Sequence, residues 1–239
     1  MHTATRLAIE ILPKIKNLNS SAHLAFYGLY ATINKDLLRS LGGKTIISGE
    51  FEDSLVLLYQ QLVGSTFVSD LGLVSLKRQN FRKPKRSDLP NLNHYAKLIN
   101  GQDQSITVGY TEGTRGCKHI CRHCPIVPVY NGRFFVVQPD VVMEDIRQQV
   151  EAGAEHITFG DPDFFNGPGH ALKLVESFHQ EFPNLTYDVT IKIEHLLAHR
   201  EKLRLLAETG CLFVTTAVET VDDDVLCILE KSHTRADFK

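Results

Sequence analysis

A chain of 239 residues with 43% apolar side chains can bury one large core or two modest ones, and a formal charge of -2 excludes a surface built wholly for nucleic acid. No apolar run approaches the roughly 20 residues of a membrane span, and no basic-then-apolar leader opens the chain, so no membrane partner is expected. Five cysteines, three of them clustered, are unlike a secreted disulfide framework and point to a reducing cytoplasm.

The chain opens inside an amphipathic helix, with Ala8, Ile11, Leu12, Ile15 and Leu18 at helical spacing and Pro13 expected to kink or shorten it. "HLAFYGLYA" (His23 to Ala31) has strand character. "NKDLLRSLGG" reads as a short helix stopped by glycines, with Asn34 as its N-cap. "KTIISGE" is a second buried-type strand and "EDSLVLLYQQL" the next helix. This order predicts a parallel sheet with helices on its faces, lacking the first strand or two such a domain needs. Residues 1–67 are therefore expected to form a partial Rossmann-like domain. Residues 68–104, with the basic, proline-punctuated "LKRQNFRKPKRSDLP", read as a solvated linker, or less readily as a phosphate-backbone patch for RNA.

From Ser105 the alternation is cleaner. "SITVGYTEG" is a strand, "PDVVMEDIRQQVEAG" a helix with Val142, Ile146 and Val150 on one stripe, and "HITFGDPDF" a strand running into a loop. "GHALKLVESFHQEFP" is a helix with Ala171, Leu174, Val175 and Phe178 inward. "TYDVTIKIEHL" is a strand, "REKLRLLAETG" a helix, "CLFVTTAVET" a strand and "DDDVLCILEK" a helix. Four successive βα units over residues 105–239 make half of an eight-stranded barrel, so the fold class is α/β. Alternation places Asp188, Thr190, Lys192 and Glu194 on one strand face and carries "FVTTAVE" out to Glu219. A polar strand face implies a wet interior that holds a ligand at the carboxyl ends of the strands. The chain stops directly after a helical pattern, and both ends are expected to cut through structure.

"TRGCKHICRHCPIVP" (Thr114 to Pro128) places Cys117, Cys121 and Cys124 within eight residues. Structural zinc wants four closed ligands; His119 or His123 could complete a set, under strain within one short loop. A disulfide leaves one thiol over, and a redox C-x2-C leaves Cys117 idle. A cubane iron–sulfur cluster on three thiolates uses all three and leaves one iron open.

C-x3-C-x2-C after the first strand of a βα barrel resembles the signature of radical S-adenosylmethionine (radical SAM) enzymes, and the resemblance covers residues 105–239. It implies a [4Fe-4S] cluster on Cys117, Cys121 and Cys124, with S-adenosylmethionine chelating the fourth iron. One-electron reduction would cleave the sulfonium and give a carbon radical that attacks a substrate, expected to be a small molecule. An electron donor such as flavodoxin or ferredoxin is implied. By the same resemblance "FGDPD" holds the position of the glycine-rich loop against the methionyl amino group, with Gly160, Asp161 and Asp163 as cofactor contacts. Lys192 and Glu194 match the third-strand position near the methionine carboxylate. Glu219 matches the residue that reaches the ribose, and His123 the residue beside the adenine. Arg115, Lys118 and Arg122 add positive charge near the cluster.

"HLAFYGLYATINKDLLRSLGGKTIISGEFEDSLVLLYQQL" resembles the second half of a cobalamin-binding domain that precedes the barrel in one class of these enzymes. The ligating D-x-H-x-x-G segment is not in this sequence, so cobalamin is not expected here. "RGCKHICRHCPIVPVYNGRFFVVQ" resembles the subgroup with a CUAEP/CCAEP tail. The competing expectation is a non-catalytic iron–sulfur or zinc-binding fragment of a longer protein. "GGKT" (Gly42 to Thr45) is no P-loop, because Leu38 stands where the first glycine belongs. Cys211 and Cys227 read as small core residues, and His156, His170, His179, His195, His199 and His233 show no ligand spacing. Asp163 and Asn166 fit a plain turn as well as a cofactor-facing loop.

Overall fold

The computed structural model describes residues 3–64, 73–99, 101 and 103–238. The chain divides into two units, Met1–Gln79 with His123–Asn131 and Asn80–Arg122 with Gly132–Lys239.

In the first unit, helix α1 (Thr3–Leu18) runs through Pro13 without ending. Strand β1 is only Ala25–Tyr27. The rest of the expected strand is helix α2 (Leu29–Ile33), because Gly28 takes φ +94° and turns the chain. Helix α3 (Lys35–Ser40) follows with Asn34 at its N-cap position, but the Asn34 side-chain amide donates to Tyr30 O at 2.8 Å, closing the end of α2, and makes no cap bond to α3. Strand β2 (Thr45–Gly49), helix α4 (Glu52–Leu62) and strand β3 (Val74–Ser75) complete a parallel sheet ordered β1-β2-β3. Its core is small: Ala31, Leu38 and Ile46. Residues 65–72, where the expected first domain passes into the linker, lie outside the described residues.

The second unit begins with part of the basic stretch read as a linker. Arg86 clamps Asp145 through two hydrogen bonds of 2.6 and 2.8 Å and donates to Tyr110 O at 2.8 Å. Gln148 donates to Pro84 O at 3.0 Å. Strand β4 (Lys97–Ile99) then pairs antiparallel with β5 (Ser105–Thr111). Residues 80–104 thus belong to the second unit through an ion pair and a strand that composition alone does not reveal.

Strands β6 (Thr114–Gly116) and β7 (Phe134–Val136) form an antiparallel hairpin around the cysteine loop. Helix α5 (Val127–Tyr130), late in that loop, groups with the first unit. Next come α6 (Pro139–Glu151), β8 (His156–Phe159), α7 (Pro168–Glu181), β9 (Thr186–Thr190), α8 (Ile193–Ala198), α9 (Arg200–Glu208), β10 (Cys211–Thr215) and α10 (Asp223–Ile228). The sheet order is β10-β9-β8-β5-β4, parallel except for β4. The strands β5, β8, β9 and β10 with their helices are the first four βα units of a barrel, as expected.

Two strands are shorter than alternation predicts. β9 ends at Thr190, and Lys192 O accepts the N–H groups of His195 and Leu196, starting α8. β10 ends at Thr215, which leaves Glu219 in a loop at φ +68°. The helix stripes fall as expected, with Val142, Ile146, Ala171, Leu174, Val175 and Phe178 buried. Phe159 meets Phe178 and Tyr187 edge-on at centroid distances of 6.3 and 5.6 Å. Phe178 has no exposed surface, so Phe178→Ala should cost about 3–5 kcal/mol in chemical denaturation of the full chain. A loss under about 1 kcal/mol would show that this cluster is not the core. Among the described residues no helix is long and apolar enough to cross a membrane.

Candidate functional site

The cysteine loop is fixed at its base by backbone and carboxylate bonds. Cys117 N donates to Arg133 O at 3.1 Å across the hairpin. Asn166, after β8, accepts Lys118 N at 3.1 Å and donates to Gly116 O at 3.3 Å. Farther along, Arg122 N donates to Leu229 O at 3.3 Å and its guanidinium to Glu230 at 2.8 Å. Cys117 and Cys121 are buried, Cys124 half-buried, and none of the five cysteines is in a disulfide. His123 is exposed.

Asp161 supports the loop from below. It accepts Gly113 N at 2.9 Å and Thr114 Oγ1 at 2.6 Å, and is buried. Burial pushes its carboxyl up to about 6, against the opposing effect of those two bonds. The unfolded carboxyl titrates near 3.8, so between 3.8 and 6 the folded chain binds this proton more tightly. The stability this group contributes is therefore fullest at low pH and is lost as pH rises toward 6, by about 1.4 kcal/mol per pH unit. Melts from about pH 4 to pH 6.5 should show Asp161→Asn without that component. Identical pH slopes in both chains would contradict the assignment. Gly160 leaves room for the Tyr110 ring: an added Cβ would lie 1.8 Å from Tyr110 Oη, so that side chain would have to move.

Above the loop's base, Lys192 bridges a thiol and a carboxylate. Its Nζ is 3.2 Å from Cys121 Sγ and 2.5 Å from Glu194 Oε1. Burial alone would lower the Lys192 pKa, but the Glu194 and Cys121 partners outweigh it and hold the ammonium above its ordinary value. Burial would likewise raise Glu194, and Lys192 outweighs that and holds the carboxyl low. His119 lies with Nδ1 3.5 Å from Glu194 Oε1 and Nε2 3.2 Å from Asp163 Oδ2. His195 Nδ1 is 2.7 Å from the same Asp163 oxygen. Burial would raise the Asp163 pKa, and the His119 and His195 rings beside it instead bring it to about 2.

The site therefore unites Cys121, Lys192, Glu194 and Asp163, four of the residues singled out by sequence. Glu194 arrives in the first turn of α8 and not on a strand. Glu219 pairs with Lys231 at 3.0 Å. Arg115 lies over the Phe81 ring at 4.6 Å. The polar strand face is largely self-satisfied: Asp188 accepts from Thr158 at 2.6 Å and meets His156 at 2.9 Å, and His156 meets Thr186 at 2.8 Å. Sequence reasoning missed His119, His195 and His233 as a group, since they come from three separate segments. The adjacency of Glu194 and His195 in "IEHLL" was the one local signal.

A family model described as the radical SAM superfamily matches residues 111–239. No curated protein matches the chain in sequence. Among solved structures, the radical S-adenosylmethionine methyltransferase TsrM from Kitasatospora setae, with tryptophan substrate and the SAM analog aza-SAM bound, is similar at TM-score 0.74 and 17% identity, covering 97% of this chain and 48% of that one. The same enzyme with cobalamin and a [4Fe-4S] cluster bound gives TM-score 0.74 at 16% identity, with the same coverage. The cobalamin-dependent S-adenosylmethionine radical enzyme OxsB, with aqua-cobalamin and S-adenosylmethionine bound, gives 0.68 at 13%, covering 97% of this chain and 36% of that one. At these identities the likeness is one of fold, and the chain spans about half the length of TsrM or less in the case of OxsB.

Proposed function

This chain belongs to the radical SAM superfamily, and from that premise we propose that Cys117, Cys121 and Cys124 hold a [4Fe-4S] cluster whose open iron takes S-adenosylmethionine. The observation that carries the reading is a set of three thiols outside any disulfide, within eight residues of the one loop that follows β5, with the Lys192 ammonium on the Cys121 sulfur. The donor set fits the group: three thiols are the right number for a cluster with one open iron, and the Lys192 ammonium beside Cys121 would offset the negative charge of a thiolate-held cluster. When bound, the pair supplies one-electron reductive cleavage of a C–S bond in S-adenosylmethionine.

The protein's own part is placement. The Lys192–Glu194 pair offers an ammonium for the methionine carboxylate and a carboxylate for its amino group, two charge-assisted contacts beside Cys121. Gly160 keeps the loop after β8 close to Tyr110, and Asp161 acts by fixing Gly113 and Thr114 at the root of the cysteine loop. Asp163 steadies His119 within that loop. Glu219 is assigned to the ribose and His123 to the adenine. Cobalamin is not part of the proposal, since the sequence has no D-x-H-x-x-G segment. The substrate is a small molecule in preference to RNA, because Arg86, Lys85 and Lys83 are turned onto Asp145, Asp88 and Glu144. A flavodoxin or ferredoxin would deliver the electron, in the reducing cytoplasm that five cysteines outside any disulfide favour.

Anaerobic incubation of the reconstituted chain with S-adenosylmethionine and dithionite should release methionine or another cleavage fragment over many minutes. An intact cluster with no cleavage would favour the non-catalytic fragment.

A further inference from the structure

His119 in the cysteine loop, Asp163 after β8 and His195 in α8 each bring one ligand atom to a common point, all within 4.8 Å of one another. Asp163 has no exposed surface and His195 is 6% exposed. Asp163 Oδ1 already accepts Phe165 N at 3.0 Å, which leaves Oδ2 to face both imidazoles. His195 Nδ1, although 2.7 Å from that oxygen, lacks hydrogen-bond alignment with it or with any other atom. A buried ring nitrogen at contact distance without a hydrogen bond is costly, and a shared cation removes the cost.

The surroundings match those of a bound metal. A metal-binding imidazole usually gives its far nitrogen to a carboxylate, and His119 Nδ1 faces Glu194 Oε1 at 3.5 Å. Glu194, its side chain 14% exposed, pairs with Lys192 through Oε1, and His233 Nδ1 stands 3.5 Å from its Oε2. Bonds of about 2.1 Å at tetrahedral angles put ligand atoms about 3.4 Å apart. The His119–Asp163 separation of 3.2 Å is close to that, and the 2.7 Å pair has to open by roughly 0.7 Å.

We infer that His119, Asp163 and His195 bind one divalent transition-metal ion of the zinc or ferrous type, separate from the three thiols. Two imidazoles and a carboxylate suit either ion and do not favour magnesium or calcium. The ion pins the middle of the cysteine loop to the segments that follow β8 and β9. That orders Cys117 and Cys121 on either side of His119 whether or not a cluster is present, so the inference does not depend on the proposed activity.

Metal analysis of the full-length reconstituted chain should find one zinc, or one iron beyond the cluster's four, and the element found identifies the ion. If zinc is found, absorption at its edge should show imidazole and oxygen scatterers and no sulfur. In the Cys117→Ala/Cys121→Ala/Cys124→Ala chain, Co2+ should bind at one equivalent and give a d–d band without thiolate charge transfer. Adding Asp163→Asn or His195→Gln to that chain should weaken Co2+ by far more than tenfold, and Glu194→Gln by about tenfold. No additional metal, sulfur in the zinc shell, or Co2+ uptake indifferent to Asp163→Asn and His195→Gln would overturn the inference. The edge measurement uses the intact chain and stands even if the triple variant folds poorly.

Discussion

The Cys117→Ala/Cys121→Ala/Cys124→Ala chain should emerge colourless from anaerobic reconstitution, where the parent takes up about four irons and four sulfides. Under the proposed function each thiolate is one of only three protein bonds to the cluster, so any single replacement should also reduce iron content severely. The control is internal. Cys211 is held as a thiol, its pKa raised to about 11 chiefly by burial. Cys227 is exposed on α10. Neither belongs to the C-x3-C-x2-C loop, so a Cys211→Ala/Cys227→Ala chain should keep the full iron complement. Equal iron in the triple variant and the parent, or iron that follows Cys211 and Cys227, would remove the cluster from this loop.

Lys192→Met should have the second largest effect. Lys192 and Glu194 side chains are only 13% and 14% exposed, and removing the ammonium leaves a mostly buried carboxylate without its counter-charge. Breaking such a pair costs about 3–5 kcal/mol. The same change takes a cation from Cys121 and, under the proposed function, from the methionine carboxylate. The affinity for S-adenosylmethionine should therefore fall by about a hundredfold or more, with the iron content largely kept. Lys192→Arg should restore part of the affinity. A melt that drops while S-adenosylmethionine binding stays unchanged would assign Lys192 to structure alone.

Much of this was legible in the sequence, for reasons that individual elements make plain. The stripes of α6 and α7 are long, periodic and uninterrupted, so their buried faces follow from spacing. The cysteine loop is local, and its chemistry is carried within eight residues. The misplacements arose where a local pattern fits two structures. "TIKIE" alternates like a strand, yet the chain turns after Thr190 because the Lys192 carbonyl starts a helix. "HLAFYGLYA" is apolar enough for a strand until Gly28 reverses it into α2. The basic stretch looked solvated, and only the buried Asp145 on α6 shows why Arg86 is held. The grouping of His119, Asp163 and His195 was beyond reach, because only the strand order brings two loops and the start of α8 together.

The most direct test of the central claim is the EPR spectrum of the reduced, reconstituted chain recorded with and without S-adenosylmethionine. An open iron that binds the cofactor predicts a [4Fe-4S]+ signal whose g-values shift when S-adenosylmethionine is added, and no such signal in the triple cysteine variant. A protein that holds zinc and no iron, or a cluster signal indifferent to S-adenosylmethionine, would contradict it.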